Sequence, residues 1–312
     1  MHVKFIKGVT FAPFTGRGHL GTEAAKESLR AMKQRTGADF VILAPGGIQQ
    51  TPESEEIDFT SDATMADEEL IATIRDAKSI GLRVALKPTV NCANGVWRAH
   101  IHFFDMDVPC EPKWGSWFSA YTKFQLHYAK IAQAEGCDMF IAGCEMVMSE
   151  VREAEWRRLI GDIKAVYDGP VSYNTDKYQE GHVTWWDAVD VISSSGYYPV
   201  DDWENQLDRI EQVVKKYNKP FFFAEAGCMS TKGSAQVPND WTVAGDLDLE
   251  EQAALYRAMF QACQKRSWVE GFGLWSWDYK LPQKEEAVQE RGYELYEKPA
   301  EAVVRQFYDT IG

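Results

Sequence analysis

Apolar positions along this chain fall into two patterns, and the patterns alternate. Short continuous apolar runs, closed by a turn residue or a carboxylate, suit strands buried on both faces. Between them lie stretches with apolar residues at helical spacing. The first run, Val3 to Ala12, is closed by Pro13. Thr22 to Arg35 follows as a helix with Ala25, Leu29 and Met32 inward, and Gly37 stops it. Asp39 to Ala44 predicts the second strand. Asp67 is placed to cap a helix running to about Ser79, with Leu70, Ile71, Ile74 and Ala77 on its inner face and Gly81 at its end. Leu82 to Leu86 predicts the third strand, and a helix spans about Trp117 to Ala134. Cys137 to Glu145 is the fourth strand, then a helix from Glu150 to Tyr167 and the strand Val171 to Asn174. A short helix is expected near Trp185, before a sixth strand from Val189 to Ser195. The helix Trp203 to Tyr217, the strand ending at Glu225, the helix Leu249 to Lys265, the strand Gly271 to Trp277 and a last helix from about Pro299 to Tyr308 complete the chain.

Eight strands alternating with helices argue for parallel βαβ units. Eight such units in 312 residues have the stoichiometry of a closed (β/α)8 TIM barrel, in one domain covering residues 1–312. No linker, low-complexity tract or close repeat divides the sequence. Loop lengths agree. Helix-to-strand connections are short, at Gly37, Gly81, Gly136, Gly169 and Asn218, whereas strand-to-helix connections near 45–66, 88–113, 226–248 and 278–296 are long. In such barrels the long loops gather at the C-terminal face, where active sites sit.

That register makes two glutamates conspicuous. Glu145 ends the fourth strand and Glu225 the seventh, 80 residues apart, so both project to one mouth. An ionised carboxylate at the rim of a buried strand is costly unless it is paired or used. A carboxylate pair can cleave a glycosidic bond: one group protonates the leaving oxygen, and the other attacks the anomeric carbon or activates water. The bland alternative is two surface glutamates in helix-starting loops.

Composition narrows the partners. The formal net charge of −14 argues against nucleic acid or an anionic membrane and favours a neutral substrate. Eleven Trp and thirteen Tyr serve either packing or stacking on flat sugar faces. The six cysteines, Cys92, Cys110, Cys137, Cys144, Cys228 and Cys263, form no C-x-x-C pair and suit reduced thiols in a cytoplasmic protein. The N-terminal stretch from Met1 to Ile6 has no signal-peptide character, although a trimmed secreted form stays open. No window approaches a membrane span.

The stretches Gly8-Val9-Thr10-Phe11-Ala12-Pro13, Lys87-Pro88, Gly143-Cys144-Glu145, Tyr197-Tyr198-Pro199, Ala224-Glu225-Ala226-Gly227 and Trp275-Ser276-Trp277 touch six of the eight predicted strand ends. In that order they resemble the retaining glycoside hydrolases of clan A, and more closely glycoside hydrolase family 113, the β-mannanases. The resemblance implies Glu145 as acid/base and Glu225 as nucleophile, with the Tyr197 hydroxyl holding the Glu225 carboxylate and Tyr198 as the alternative. It also implies that one of Trp275 and Trp277 floors the sugar subsite at the cleavage point. One departure stands out: where most clan members have an Asn that bonds the sugar 2-hydroxyl, this chain has Cys144, a weaker hydrogen-bonding group.

Lys87, Asn91, Asn94 and Trp97 follow the third strand and could supply fixed donors and acceptors to sugar hydroxyls. Trp241, in the long loop after Glu225, is placed on the leaving-group side. Three other patterns are weaker. Gly16-Arg17-Gly18-His19-Leu20-Gly21 matches a dinucleotide fingerprint, but the next strand ends without the acid such a site needs. His100 and His102 with Asp105 and Asp107 sit in one loop, whereas barrel metal sites usually draw ligands from several strand ends. Cys144 as nucleophile would need a histidine partner. The expectation is therefore hydrolysis of β-1,4-mannosidic bonds in mannan or mannooligosaccharides, with no cofactor and no metal. A clan relative acting on β-glucan or β-galactan, or a silent oligosaccharide-binding barrel, remains as an alternative.

Overall fold

A computed structural model describes residues 4–311. The first predicted strand begins at Val3, outside the described residues; within them it runs Ile6–Phe11 (β1). The other strands are β2 (Phe40–Leu43), β3 (Gly46–Gln49), β4 (Arg83–Leu86), β5 (Thr89–Cys92), β6 (Met139–Cys144), β7 (Val171–Thr175), β8 (Val191–Gly196), β9 (Phe221–Ala226) and β10 (Val269–Trp277). The helices are α1 (Glu23–Thr36), α2 (Asp67–Ser79), α3 (Trp114–Ala134), α4 (Glu153–Lys164), α5 (Trp203–Tyr217), α6 (Leu249–Cys263), α7 (Lys284–Ala287) and α8 (Pro299–Thr310). Eight strands close a parallel barrel in the order β1-β10-β9-β8-β7-β6-β4-β2, the (β/α)8 architecture that the alternation predicts.

Strands such as β2, β6 and β9 are apolar on both sides because two cores need filling. Ile6, Phe40, Ile42, Ala85, Met139, Ile141, Val191, Phe222 and Ala224 pack inside the barrel. Their neighbours, such as Val41, Leu43, Phe140, Phe223 and Leu274, pack outward against the helices. Capping follows the sequence in part. Thr22 caps α1 by accepting from the Ala25 N–H, and Gly37 takes the left-handed turn at its end, φ 74°. Asp67, expected as a cap, is instead the first helical residue of α2, and the Glu69 carboxylate reaches back to the Ala66 N–H.

Two local readings are corrected. The polar loops after the second and third barrel strands contain β3 and β5, which pair in parallel as a small second sheet. Near Trp185 there is a run of turns and no helix. Two buried indoles fill the space a helix would take: Trp185 stacks on Trp156 at 4.8 Å, and its Nε1 donates to the Glu150 carbonyl at 3.0 Å. Trp186 Nε1 donates to the Glu180 carbonyl at 2.8 Å. Among the described residues no helix is long and apolar enough to cross a membrane.

Three irregularities at the C-terminal strand ends matter most for function. The pairing shifts between Ile141 and Cys144 on β6, between Phe223 and Glu225 on β9, and between Leu274 and Trp277 on β10. Each inserts one extra residue, and a bulge of this kind reverses which face the following side chains meet.

Candidate active site

The bulge on β9 explains how an apolar strand delivers a carboxylate inward. Ala224 faces the barrel interior, so plain alternation would send Glu225 out toward the helices. The shift instead aligns Glu225 with Ser195 of β8 and turns its carboxylate into the mouth. Glu225 is buried, and three donors meet it there. Lys87 Nζ, from the end of β4, forms an ion pair with Oε1. Cys144 Sγ donates to the same oxygen at 3.2 Å, and the Tyr197 hydroxyl donates to Oε2 at 3.1 Å. Burial pushes the Glu225 pKa up, but the positive charges of Lys87 and Arg98 outweigh it and hold the group below the usual carboxylate range. Glu225 is thus kept as an anion with its lone pairs directed by fixed donors, as a nucleophile requires.

Glu145 follows the bulge on β6. Gly143 there has φ 103°, and a Cβ at this position would lie 2.2 Å from the Tyr121 hydroxyl. Only glycine fits, and the chain then turns sharply enough to aim Glu145 across the mouth. Its carboxylate accepts from Ser195 Oγ at 2.7 Å and from Trp97 Nε1 at 3.1 Å. Arg98 lies 3.8 Å from it, is itself buried, and also bears on Glu225. Two buried cations, Lys87 and Arg98, thus face two buried carboxylates. Oxygens of Glu145 and Glu225, with Cys144 Sγ, lie within 4.8 Å of one another.

Glu145, Glu225 and Arg98 form the floor of a cavity of about 700 Å³ at the C-terminal face. Asn91, Trp97, Tyr197, Trp241 and Trp275 line it, as the sequence suggests. Phe14, Arg98, Asp176, Lys177, Asn239 and Tyr293 line it too, and pattern reasoning missed them. Lys177 is ion-paired to Asp176 at 3.3 Å and lies 5.6 Å over the Trp97 ring. Asp176 is pushed up to about 7, by burial first and by the nearby Glu145 second. Ser195 and Arg98 carried no signal that period or composition could find, because both are polar residues whose role depends on the partner strand.

Five candidate binding residues turn out to have other positions. Trp277 is buried on the helix side, where its Nε1 donates to Ser28 Oγ at 3.0 Å. The β10 bulge separates it from Trp275, which faces the cavity. Tyr198 is buried outside the barrel, bonded to Glu180 and Arg209. Asn94 is exposed and accepts from the Val96 N–H at 3.1 Å, shaping its own turn. Lys87 is fully buried and paired with Glu225, so it does not face the cavity. Cys144 is also fully buried, and burial pushes its thiol pKa well above the ordinary value. It is a protonated donor to Glu225 and neither a nucleophile nor a cavity-lining sugar contact. Cys144→Ala should therefore keep the fold and lower kcat/KM by about 1 kcal/mol, or about fivefold, the scale of one ordinary hydrogen bond. Steady-state kinetics beside circular dichroism test this; abolished activity in a folded variant would restore cysteine chemistry.

The metal and nucleotide patterns fare no better as sites. Among the described residues, the one cluster of three metal-ligating types is Cys144, Glu145 and Glu225, already matched by two cations. His100 and His102 instead make edge contacts with Trp97 and Trp114. In the loop at 16–21, Arg17 donates to the Thr60 and Ser61 carbonyls and the Gly18 N–H donates to the Glu69 carboxylate at 2.6 Å.

A barrel with two buried carboxylates in one sugar-sized, aromatic-lined cavity defines a glycoside hydrolase site. Comparison with known proteins makes the assignment particular. The model of Glycoside Hydrolase Family 113 matches residues 9–298. A solved GH113 β-1,4-mannanase complex is 54% identical, with a TM-score of 0.98 over 99% of this chain and 100% of that one. The GH113 β-mannanase AaManA from Alicyclobacillus acidocaldarius, solved in complex with ManMIm, is 40% identical with a TM-score of 0.96 over 99% of each chain. Among curated proteins none matches. The chain belongs to glycoside hydrolase family 113.

Proposed function

We propose that this protein hydrolyses β-1,4-mannosidic bonds in mannan and mannooligosaccharides, with retention of configuration, as one catalytic domain. Two buried carboxylates at one mouth, each held by fixed donors, carry the mechanism. Retaining enzymes hold the two carboxyl groups about 5–5.5 Å apart and inverting ones about 6.5–9.5 Å, because inversion needs room for a water. One oxygen of Glu145 lies within 4.8 Å of one oxygen of Glu225, which supports the closer, retaining arrangement. The substrate reading is supported by the two solved β-mannanases at 54% and 40% identity.

In this reading the sugar sits over Trp275 with its anomeric carbon above Glu225. Glu225, kept anionic by Lys87 and Arg98, attacks from the α face and forms a glycosyl-enzyme. Glu145 gives its proton to the departing oxygen, then takes one from the water that releases the sugar. Tyr197 and Cys144 keep the attacking oxygens in place, and Trp97 and Ser195 do the same for Glu145. No step calls for a cofactor. The free cysteines suit a cytoplasmic setting.

Purified protein should release mannose or mannobiose from mannotriose with the β-anomer appearing first by NMR, and EDTA should leave the rate unchanged. Comparable rates on cellotriose or β-galactotriose would move the substrate to another clan member's, and no product on any of them would leave a binding barrel. Trp241, 61% exposed at the cavity edge, belongs in this proposal to the leaving-group side. Its loop is tied down where the Tyr293 hydroxyl donates to the Pro238 carbonyl at 2.6 Å. Trp241→Ala should shift the product-length pattern from mannopentaose while leaving a dinitrophenyl mannoside almost unaffected. An unchanged pattern with unchanged KM would make this loop plain surface.

A further inference from the structure

The turn that carries Glu145 is held in an unfavourable backbone. Glu145 has φ 54°, a left-handed conformation that few non-glycine residues adopt. Such a conformation persists only where the surroundings over-determine it. Two bonds from β7 do so. The Glu145 N–H donates to the Asn174 carbonyl at 2.7 Å, and the Met146 N–H donates to the Tyr173 hydroxyl at 3.0 Å. On the other side of the turn, the Met146 carbonyl accepts from the Ser149 N–H at 2.9 Å and from Ser149 Oγ at 2.8 Å.

The Tyr173 hydroxyl is an acceptor for Met146, so its own proton needs another partner. That partner is Glu150 Oε1, at 2.7 Å. Thr175 Oγ1 donates to the same oxygen at 2.6 Å. Glu150 is 3% exposed, and the acidic groups that bear on it most are Asp176 and Glu180. The chemistry described above leaves this buried carboxyl unused.

We infer that Glu150 is a positioning residue for the general acid: through the Tyr173 hydroxyl it fixes the backbone turn that aims Glu145 at the glycosidic oxygen. The inference rests on reading Glu145 as that acid. Burial first, then the neighbouring acids, pushes Glu150 up to about 8, so it sits uncharged through the neutral range. An uncharged carboxyl acting by hydrogen bonding is one that glutamine can replace and alanine cannot. Glu150 has a second link to the same region, because its carbonyl accepts from Trp185 Nε1. That bond survives side-chain substitution, which limits the damage to the Tyr173 link.

The test compares kcat/KM, which reports steps up to the glycosyl-enzyme, on mannotriose and on 2,4-dinitrophenyl β-mannoside. The first substrate needs a proton on its leaving oxygen and the second does not. Glu150→Ala and Tyr173→Phe should each lose about tenfold or more on mannotriose and about threefold or less on the dinitrophenyl mannoside. The loss is bounded by the roughly 10²–10⁴-fold that general acid catalysis supplies. Glu150→Gln should recover most of that loss. Glu145→Ala is the reference and should show the same contrast more strongly. Equal losses on both substrates, or a Gln variant as damaged as the Ala variant, would overturn the inference while leaving Glu145 as acid. A Glu145→Ala protein with no contrast would overturn the acid assignment and the inference with it. Tyr173→Phe, which removes one oxygen, keeps the test available if Glu150→Ala does not fold.

Discussion

Glu225→Ala should lose hydrolysis of every mannoside by on the order of 10⁴–10⁶-fold in kcat, equivalent to about 5–8 kcal/mol of transition-state stabilisation. Without the carboxylate no glycosyl-enzyme forms, so an activated leaving group gives no rescue. Azide should rescue it instead. The truncated side chain leaves room on the α face, and azide entering there displaces dinitrophenolate to give α-mannosyl azide. β-Mannosyl azide from this variant would reverse the roles of the two glutamates. The same substitution should change stability in a pH-dependent way. In the folded protein Glu225 is held below the usual range, with Lys87 and Arg98 overcoming the effect of burial. A carboxyl whose folded pKa is depressed stabilises the fold above its unfolded pKa of about 4.3. That contribution is lost as pH falls through the lower folded value. Glu225→Ala should therefore be less stable than wild type at pH 7, where Lys87 loses its buried counter-charge. The difference should shrink on acidification. Denaturant melts at pH 7 and below pH 4 measure this, and a gap that widens in acid would contradict the sign.

Much of this architecture is legible in the chain because several of its strands are apolar on both faces and its helices carry one apolar stripe. Phe221-Phe222-Phe223-Ala224 can only be a strand with two cores to fill, one inside the barrel and one outside. Eight strands alternating with helices fix the barrel, and the barrel places Glu145 and Glu225 at one mouth. What period-2 reasoning cannot supply is the face of any residue beyond a bulge. Trp275 and Trp277 are two apart and should share a face; the extra residue in β10 puts one in the cavity and the other against Ser28. Cys144 and Lys87 were placed at the correct strand ends, but their bonds run to Glu225 beneath the cavity, because a buried anion there needs partners more than a sugar needs contacts. Arg98 and Ser195 are not legible in the sequence for the complementary reason. Each sits in an ordinary-looking stretch and acquires its role from a residue on another strand, Glu145 in both cases. The small sheet of β3 and β5 was missed because Gln49, Thr89 and Asn91 are polar. Its β5 strand carries Asn91 to the cavity edge.

Glu145→Ala should behave in the opposite way to Glu225→Ala on activated substrates. On mannotriose the loss should reach about 10²–10⁴-fold, because the sugar alkoxide cannot depart without a proton. On dinitrophenyl β-mannoside the first step should be close to normal, since dinitrophenolate leaves unassisted. The second step still lacks its base, so water attacks the glycosyl-enzyme slowly and a burst of dinitrophenolate should precede a slow steady state. Azide needs no base. It should relieve the block and give β-mannosyl azide, because it attacks the α-linked intermediate from the face that water normally uses. The intermediate trapped during the burst should be attached to Glu225, which peptide mass spectrometry can show directly. The oxygens of the two glutamates, within 4.8 Å across the mouth, make these outcomes a single test of the mechanism. An inverting enzyme would form no covalent intermediate and show no burst, and it would release α-mannose first. A variant with no burst, no azide product and α-mannose as the first anomer would reject double displacement, whatever the family resemblance implies.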